Sequence, residues 1–220
     1  MKPIVVRGGG DIATGTIYQL SRAGYPVLVL ETEHPSAIRR QVAFCEAVYE
    51  KTASVEGLTA VHADSLEEAM DMVNPSRPVV LVDSEGDSIR EIKPDVVVDA
   101  ILAKRNLGTR RDMAKLTIGL GPGFSAGKDV DYVIETMRGH NLGRVIEEGP
   151  AMADTGVPGR IMGYGKERVI HAPAEGILYG RTGIAAQVKK DDVIAVIRED
   201  GGTEVSVFAS LDGIVRGLIR

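Results

Sequence analysis

Tryptophan is missing from the 220 residues, and aromatic side chains make up only 4% of them. The core must therefore be assembled from Val, Ile, Leu and Ala, as in α/β proteins whose parallel strands are buried on both faces. A single cysteine, Cys45, excludes an intrachain disulfide and suits a reducing compartment. Positive charge is in deficit. The net charge is −5, which argues against a general nucleic-acid binder, for which a basic excess or stripe is expected. No apolar run reaches the roughly 18 residues of a membrane span. Met1 leads directly into a strand pattern, without the basic and apolar regions of a signal peptide. These absences predict a cytoplasmic protein with neither nucleic acid nor membrane as partner. The four histidines, His34, His62, His140 and His171, show no close ligand spacing, so no metal site is expected.

What remains has the balance of a globular protein, with 44% apolar and 26% charged residues. Pro3 to Arg7 reads as a buried strand, Ile12 to Ala23 as a helix stopped by Gly24, and Pro26 to Glu31 as a second buried strand. Ile38 to Val48 is a helix candidate after the Pro35 turn. Val55 to Val61 reads as a short strand. Ser65 to Val73 reads as a helix with Ser65 as N-cap and Glu67 and Glu68 in its first turn. Further strands are expected at Pro78–Asp83, Asp95–Ala100, Leu116–Leu120 and Asp131–Thr136. This alternation predicts an α/β fold with a mainly parallel sheet. Around residues 145–165 the texture changes to short apolar runs and closely spaced glycines. Two domains are expected, residues 1–150 and 165–220. The second contains a repeat: Ile170–Gly180 resembles Val207–Gly217 at an offset of 37 residues, keeping Ala, then acid-Gly-Ile, then Gly in register. A small two-fold β sandwich follows from it.

The feature with the most chemistry is Gly8-x-Gly10-x-x-Ala13, between a strand and a helix, with Gly9 inside it. Gly8 permits a tight turn, Gly10 lets the backbone approach a phosphate, and Ala13 lets the helix pack on the strand. The free N–H groups and the helix dipole then meet the anion. Glu31 ends the second strand 23 positions after Gly8, a spacing that suits a ribose hydroxyl. The alternative is a turn that merely uses glycine. Asp11 can cap the helix, although its charge lies near the proposed phosphate; a metal or ribose contact is its other reading. Thr14 or Thr16 can offer a hydroxyl.

Other features are weaker. Gly121, Gly123 and Ser125 lie in a second glycine-rich loop, read equally as an anion nest and as a rigid turn. Arg138, His140 and Arg144 lie between glycines, in a loop that suits a phosphate or serves as a solvated connection. Arg39 and Arg40 read as a solvated face or as partners of an extra phosphate, and Cys45 as a small core residue or a nucleophile. No catalytic residues can be placed from spacing.

The segment Val6-Arg7-Gly8-Gly9-Gly10-Asp11-Ile12-Ala13-Thr14-Gly15 resembles the N-terminal signature of the YqeB family, accessory proteins of selenium-dependent molybdenum hydroxylases. The likeness continues through Leu28–Glu33, Ala37–Arg40, Glu46–Tyr49, Gly121–Phe124, Val133–Thr136, Arg138–His140 and Leu142–Val145. It implies a Rossmann-like domain distantly similar to the XdhC/CoxI molybdenum-cofactor chaperones. It also implies a maturation role, with the molybdenum hydroxylase apoenzyme as partner and a molybdopterin dinucleotide as cofactor. NAD(P) is the alternative cofactor, for an oxidoreductase; a non-catalytic adaptor docking on the hydroxylase is a third reading. Whether the protein is an enzyme stays open, and a homo-oligomer is compatible with all three. The second domain resembles the barrel-sandwich fold of biotinyl and lipoyl carriers in His171–Gly176, Gly183, Val188, Lys189 and Asp191–Ile194. The stretch Arg198–Glu204 lacks the carrier lysine, so neither biotin nor lipoate is expected. The second repeat lacks the continuation that the first has in Gly183–Ile197. Either the small domain is truncated or another element completes it.

Overall fold

The computed structural model describes all residues, 1–220. The chain divides into two compact units, Met1–Asp154 and Thr155–Arg220. In the first unit, β1 (Ile4–Arg7) leads into α1 (Asp11–Arg22) and β2 (Val27–Glu31). Next come α2 (Ala47–Glu50), β3 (Thr52–Val55), β4 (Leu58–Ala63), α3 (Leu66–Met72), β5 (Val79–Val82) and α4 (Ser88–Ile92). Then follow β6 (Val96–Asp99), β7 (Leu116–Leu120), β8 (Ser125–Ala126), β9 (Tyr132–Ile134), β10 (Val145–Ile146) and β11 (Gly149–Pro150).

Nine of these strands form one sheet in the order β10-β9-β7-β6-β1-β2-β5-β4-β3. It is parallel except at its edges, where β3 pairs with β4 and β10 with β9 in antiparallel fashion. All of β1 and the first four residues of β2 are buried. The reason is that both sheet faces are covered. Val6, Val29, Val80 and Val98 face a core closed by Ala13 and Ile17 of α1 and by Phe44 and Ala47. Val5, Leu28, Val79 and Val97 face the other core, closed by Ala69 of α3 and Ile89 of α4. Each fully buried Val or Leu contributes roughly 1.5–3 kcal/mol, so continuous apolar runs are what a doubly covered strand demands.

Helix α1 buries Ala13, Thr14, Ile17 and Ser21 on one stripe, and its dipole is complemented by Asp11 in the first turn and Arg22 in the last. The Gly24 N–H closes its end on the Ser21 carbonyl. Ser65 caps α3 by accepting the Glu68 N–H at 3.1 Å, as its sequence position predicts.

Two expectations change. Residues 38–48 do not form one helix. Two 3₁₀ turns, Arg40–Val42 and Phe44–Glu46, precede the single turn of α2. The Phe44 and Cys45 N–H groups are held by Thr14 and Gly9 instead of by a helical ladder. The strand expected at 55–61 is a hairpin, with Glu56 and Gly57 at φ 51° and 81° in a two-residue turn between β3 and β4.

The second unit holds β12 (Ile177–Gly180), β13 (Gln187–Val188), β14 (Val193–Arg198), β15 (Glu204–Phe208) and β16 (Gly213–Ile214). Antiparallel pairing joins β12, β14 and β15 in one sheet and β13 with β16 in another. Ile194, Ala195, Ile197, Val207 and Ala209 make its core. No helix of the chain is long and apolar enough to cross a membrane.

Candidate functional site

From β1 the chain passes to β2, goes on to the far edge of that side as β3 and β4, comes back as β5 beside β2, and then crosses β1 to build β6, β7 and β9 on the other side. The strand order therefore reverses at β1. In such sheets a crevice opens at the carboxyl ends of the strands flanking the reversal. The glycine loop starts there, directly after Arg7.

The three glycines of that loop have different surroundings. Gly8 has φ +94°, and a Cβ there would lie 2.9 Å from the Ile101 backbone. A Cβ on Gly9 would lie 3.0 Å from the Cys45 backbone nitrogen. Both are glycine because backbone crosses them. Around Gly10 nothing lies within 4 Å of that position. The loop's amides divide in the same way. The Gly8 N–H bonds the Leu30 carbonyl at 2.8 Å. The Gly9 N–H bonds Glu31 Oε2 at 2.8 Å, and the Thr32 N–H bonds Oε1 at 2.8 Å. Helix α1 has no side-chain cap, so its first-turn N–H groups face outward beside Gly10.

The polar residues of the signature are tied down. Thr14 is buried; its hydroxyl donates to the Gly9 carbonyl at 3.2 Å and accepts the Phe44 N–H at 2.9 Å. Asp11 pairs with Arg39 at 3.0 Å, which accounts for a carboxylate at this helix start. Cys45 lies against Gly9. Burial first, then the carboxylates of Glu31 and Glu46, push its thiol up to about 12. A thiol held so firmly protonated is no nucleophile.

The second loop follows β7, at the same end of the sheet. Gly121 has φ +74° and a Cβ there would lie 2.5 Å from Thr136 Oγ1. Gly123 has φ +111° and would place a Cβ 2.7 Å from the Arg105 backbone. The Gly121 N–H bonds the Ile134 carbonyl at 2.8 Å and the Ser125 N–H bonds Asp129 Oδ2 at 2.9 Å. These amides serve a packed turn. Arg138, His140 and Arg144 are exposed on the hairpin between β9 and β10. Their strand is three places from β1, roughly 14 Å at about 4.8 Å per strand. Glu135 sets this hairpin, accepting the Met137 N–H at 2.7 Å and the Met152 N–H at 2.8 Å.

A buried network was not foreseen from sequence. The Arg7 guanidinium donates to Thr109 Oγ1 at 2.6 Å and to the Ser84 carbonyl at 3.1 Å, and lies 3.7 Å from Asp99 Oδ2. Thr109 in turn donates to Asp99 at 2.6 Å. Burial pushes the Asp99 carboxyl up, against the opposing pull of Thr109, the Ile101 N–H and Arg7. This network fastens the segment after β6, which passes under Gly8 and reaches Gly123. Its one sequence signal is that β1 and β6, otherwise apolar, end on opposite charges that stand in register.

The chain is 51% identical over 217 residues, 99% of its length, to a protein of Escherichia coli (strain K12) called uncharacterized protein YqeB. The likeness supports the YqeB family. The chain spans 39% of that YqeB relative's length, and the relative's name carries no activity to bring to the site. No family model matches the chain, and no solved structure matches it significantly.

Proposed function

We propose that this chain is an accessory protein that holds a nucleotide-bearing cofactor by its phosphates, in the maturation of a selenium-dependent molybdenum hydroxylase. The large unit is then a Rossmann-like domain and the small unit a barrel-sandwich relative. The observation that carries the reading is the open space at Gly10, beside uncapped α1 amides, where the strand order reverses. A pyrophosphate fits there: the helix start supplies donors and partial positive charge, and no Cβ obstructs approach. Gly9 takes no part in this grip, because its N–H is held by Glu31. Arg138, His140 and Arg144 serve a more distal part of an extended cofactor. Such a cofactor, when bound, supplies a pyrophosphate as the anchoring group.

The nicotinamide reading needs Glu31 on a ribose, and both Glu31 oxygens already accept backbone N–H groups. The maturation role itself rests on the family likeness. Native mass spectrometry of the chain, purified from a cell that makes the molybdenum cofactor, tests the proposal. A mass increment of a molybdopterin dinucleotide is expected. An increment of NAD(P) transfers the site to the oxidoreductase reading, and a bare chain removes the cofactor grip.

A further inference from the structure

Three glycines of the two loops face one short segment of chain. A Cβ on Gly8 would lie 2.9 Å from Ile101 Cα, one on Gly121 3.1 Å from Leu102 Cδ2, and one on Gly123 2.7 Å from Arg105 Cα. Residues 101–105 are therefore a strap that follows β6 and runs from the first loop to the second, through slots that only glycine leaves open. The strap's backbone has an unusual shape. Leu102 and Lys104 have φ 59° and 63°, the left-handed region that residues other than glycine rarely enter. Such strain persists where the surroundings fix the backbone. They fix it here at both ends. Before the strap, the Ala100 N–H bonds the Arg7 carbonyl at 2.8 Å. Beyond it, Asn106 Oδ1 accepts the Gly108 and Thr109 N–H groups at 2.9 and 2.8 Å, and Thr109 is clamped between Arg7 and Asp99.

The strap carries two neighbouring cations in different states. Lys104 is paired with Asp154 at 2.9 Å. Arg105 is exposed and has neither a hydrogen bond nor an ion pair. Its planar guanidinium suits bidentate binding of an oxyanion, and a backbone fixed in advance lowers the ordering cost of that binding. Arg105 lies against the loop after β7, two strands from β1, roughly 10 Å at about 4.8 Å per strand. It therefore stands between the start of α1 and the hairpin that carries Arg138, His140 and Arg144.

We infer that Arg105 binds a second anionic group of the ligand whose first phosphate sits at Gly10. This rests on the phosphate grip at Gly10 and narrows the class of molecule it takes. The ligand is an elongated polyanion laid along the carboxyl end of the sheet from β1 to β7, with a phosphate or other oxyanion well separated from the gripped one. A molecule whose only charge is the pyrophosphate at Gly10 leaves Arg105 unused.

The experiment titrates the full chain by calorimetry with two probes, inorganic diphosphate and linear hexaphosphate, at one ionic strength. Hexaphosphate is expected to bind about tenfold or more tightly than diphosphate. Arg105→Gln should remove most of that gain and leave both diphosphate binding and the melting temperature unchanged. Arg105→Lys should keep part of the gain, because the charge stays and the fork is lost. Arg216→Gln, at an exposed cation of the small unit, should alter neither probe. A gain that survives Arg105→Gln overturns the inference, as does a loss that is equal for both probes. Diphosphate binding that survives Gly10→Val overturns the grip at Gly10 instead. A wild-type chain that binds neither probe removes both.

Discussion

The two glycine loops at the carboxyl end of the large sheet look alike in sequence and differ in space. Gly8, Gly9, Gly121 and Gly123 each have backbone or side-chain atoms where a Cβ would go, whereas Gly10 has none. The second loop turns its amides onto Ile134 and Asp129. The first leaves the amides at the start of α1 without a side-chain acceptor. A glycine-rich loop is therefore not by itself a binding loop. What distinguishes the two is open space next to unsatisfied donors, and only the first loop has both.

Substitutions can break this contrast. The largest effect is expected at Arg7, which fastens the segment lying between the loops. Arg7→Leu leaves Asp99 buried without its cation and should cost about 3–5 kcal/mol in denaturant unfolding. Burial holds the Asp99 carboxyl above its ordinary 3.8, so its contribution to stability is full below that value and is lost as pH rises through the folded-state pKa. The deficit of Arg7→Leu should accordingly shrink toward low pH. A deficit that grows on acidification would contradict this network.

Gly123→Ala combines φ +111° with a backbone 2.7 Å away. It should cost about 2–4 kcal/mol. A smaller loss of about 2 kcal/mol is expected for Glu135→Gln at neutral pH. Burial pushes the Glu135 carboxyl up, but the N–H groups of Met152, Met137 and Thr136 outweigh that and hold it below the ordinary 4.5. Its stabilisation is present above 4.5 and is lost as pH falls through the lowered folded-state value. Wild type and variant should therefore converge in acid, which circular dichroism across a pH series can follow. Gly127→Ala sharpens the contrast from the other side. Its φ is +81° with open space around it, so conformational strain of about 1 kcal/mol is all that should appear.

The large sheet was legible because its physics is local. Continuous Val-rich runs at Ile4–Arg7, Val27–Glu31 and Val79–Val82 announce strands buried on both faces, and Ser65 announces a helix start. Residues 38–48 were not legible. Their apolar spacing suits a helix, yet their N–H groups are claimed by Gly9 and Thr14, some thirty residues earlier. Glu56-Gly57 was missed because both residues take positive φ, which a strand-length apolar run does not reveal. At the site, the position of the glycine signature was readable, but which of its groups are free was not. Glu31 has the spacing of a ribose ligand, and in the fold its carboxylate holds the Gly9 amide. Asp11, whose charge lies near the proposed phosphate, is answered by Arg39. The Arg7–Asp99–Thr109 network joins residues about a hundred positions apart, and no spacing rule reaches that far.

The most direct test of the account is a binding titration of the cofactor identified by mass, comparing wild type with Gly10→Val. Gly10 has φ −64°, an ordinary backbone that valine can adopt, so stability should change by no more than about 1 kcal/mol. The account predicts that Gly10→Val keeps its melting temperature and loses binding by at least about tenfold, because the new side chain fills the space a phosphate needs. Unchanged binding in a stable Gly10→Val protein would contradict the claim that the start of α1 is the phosphate grip.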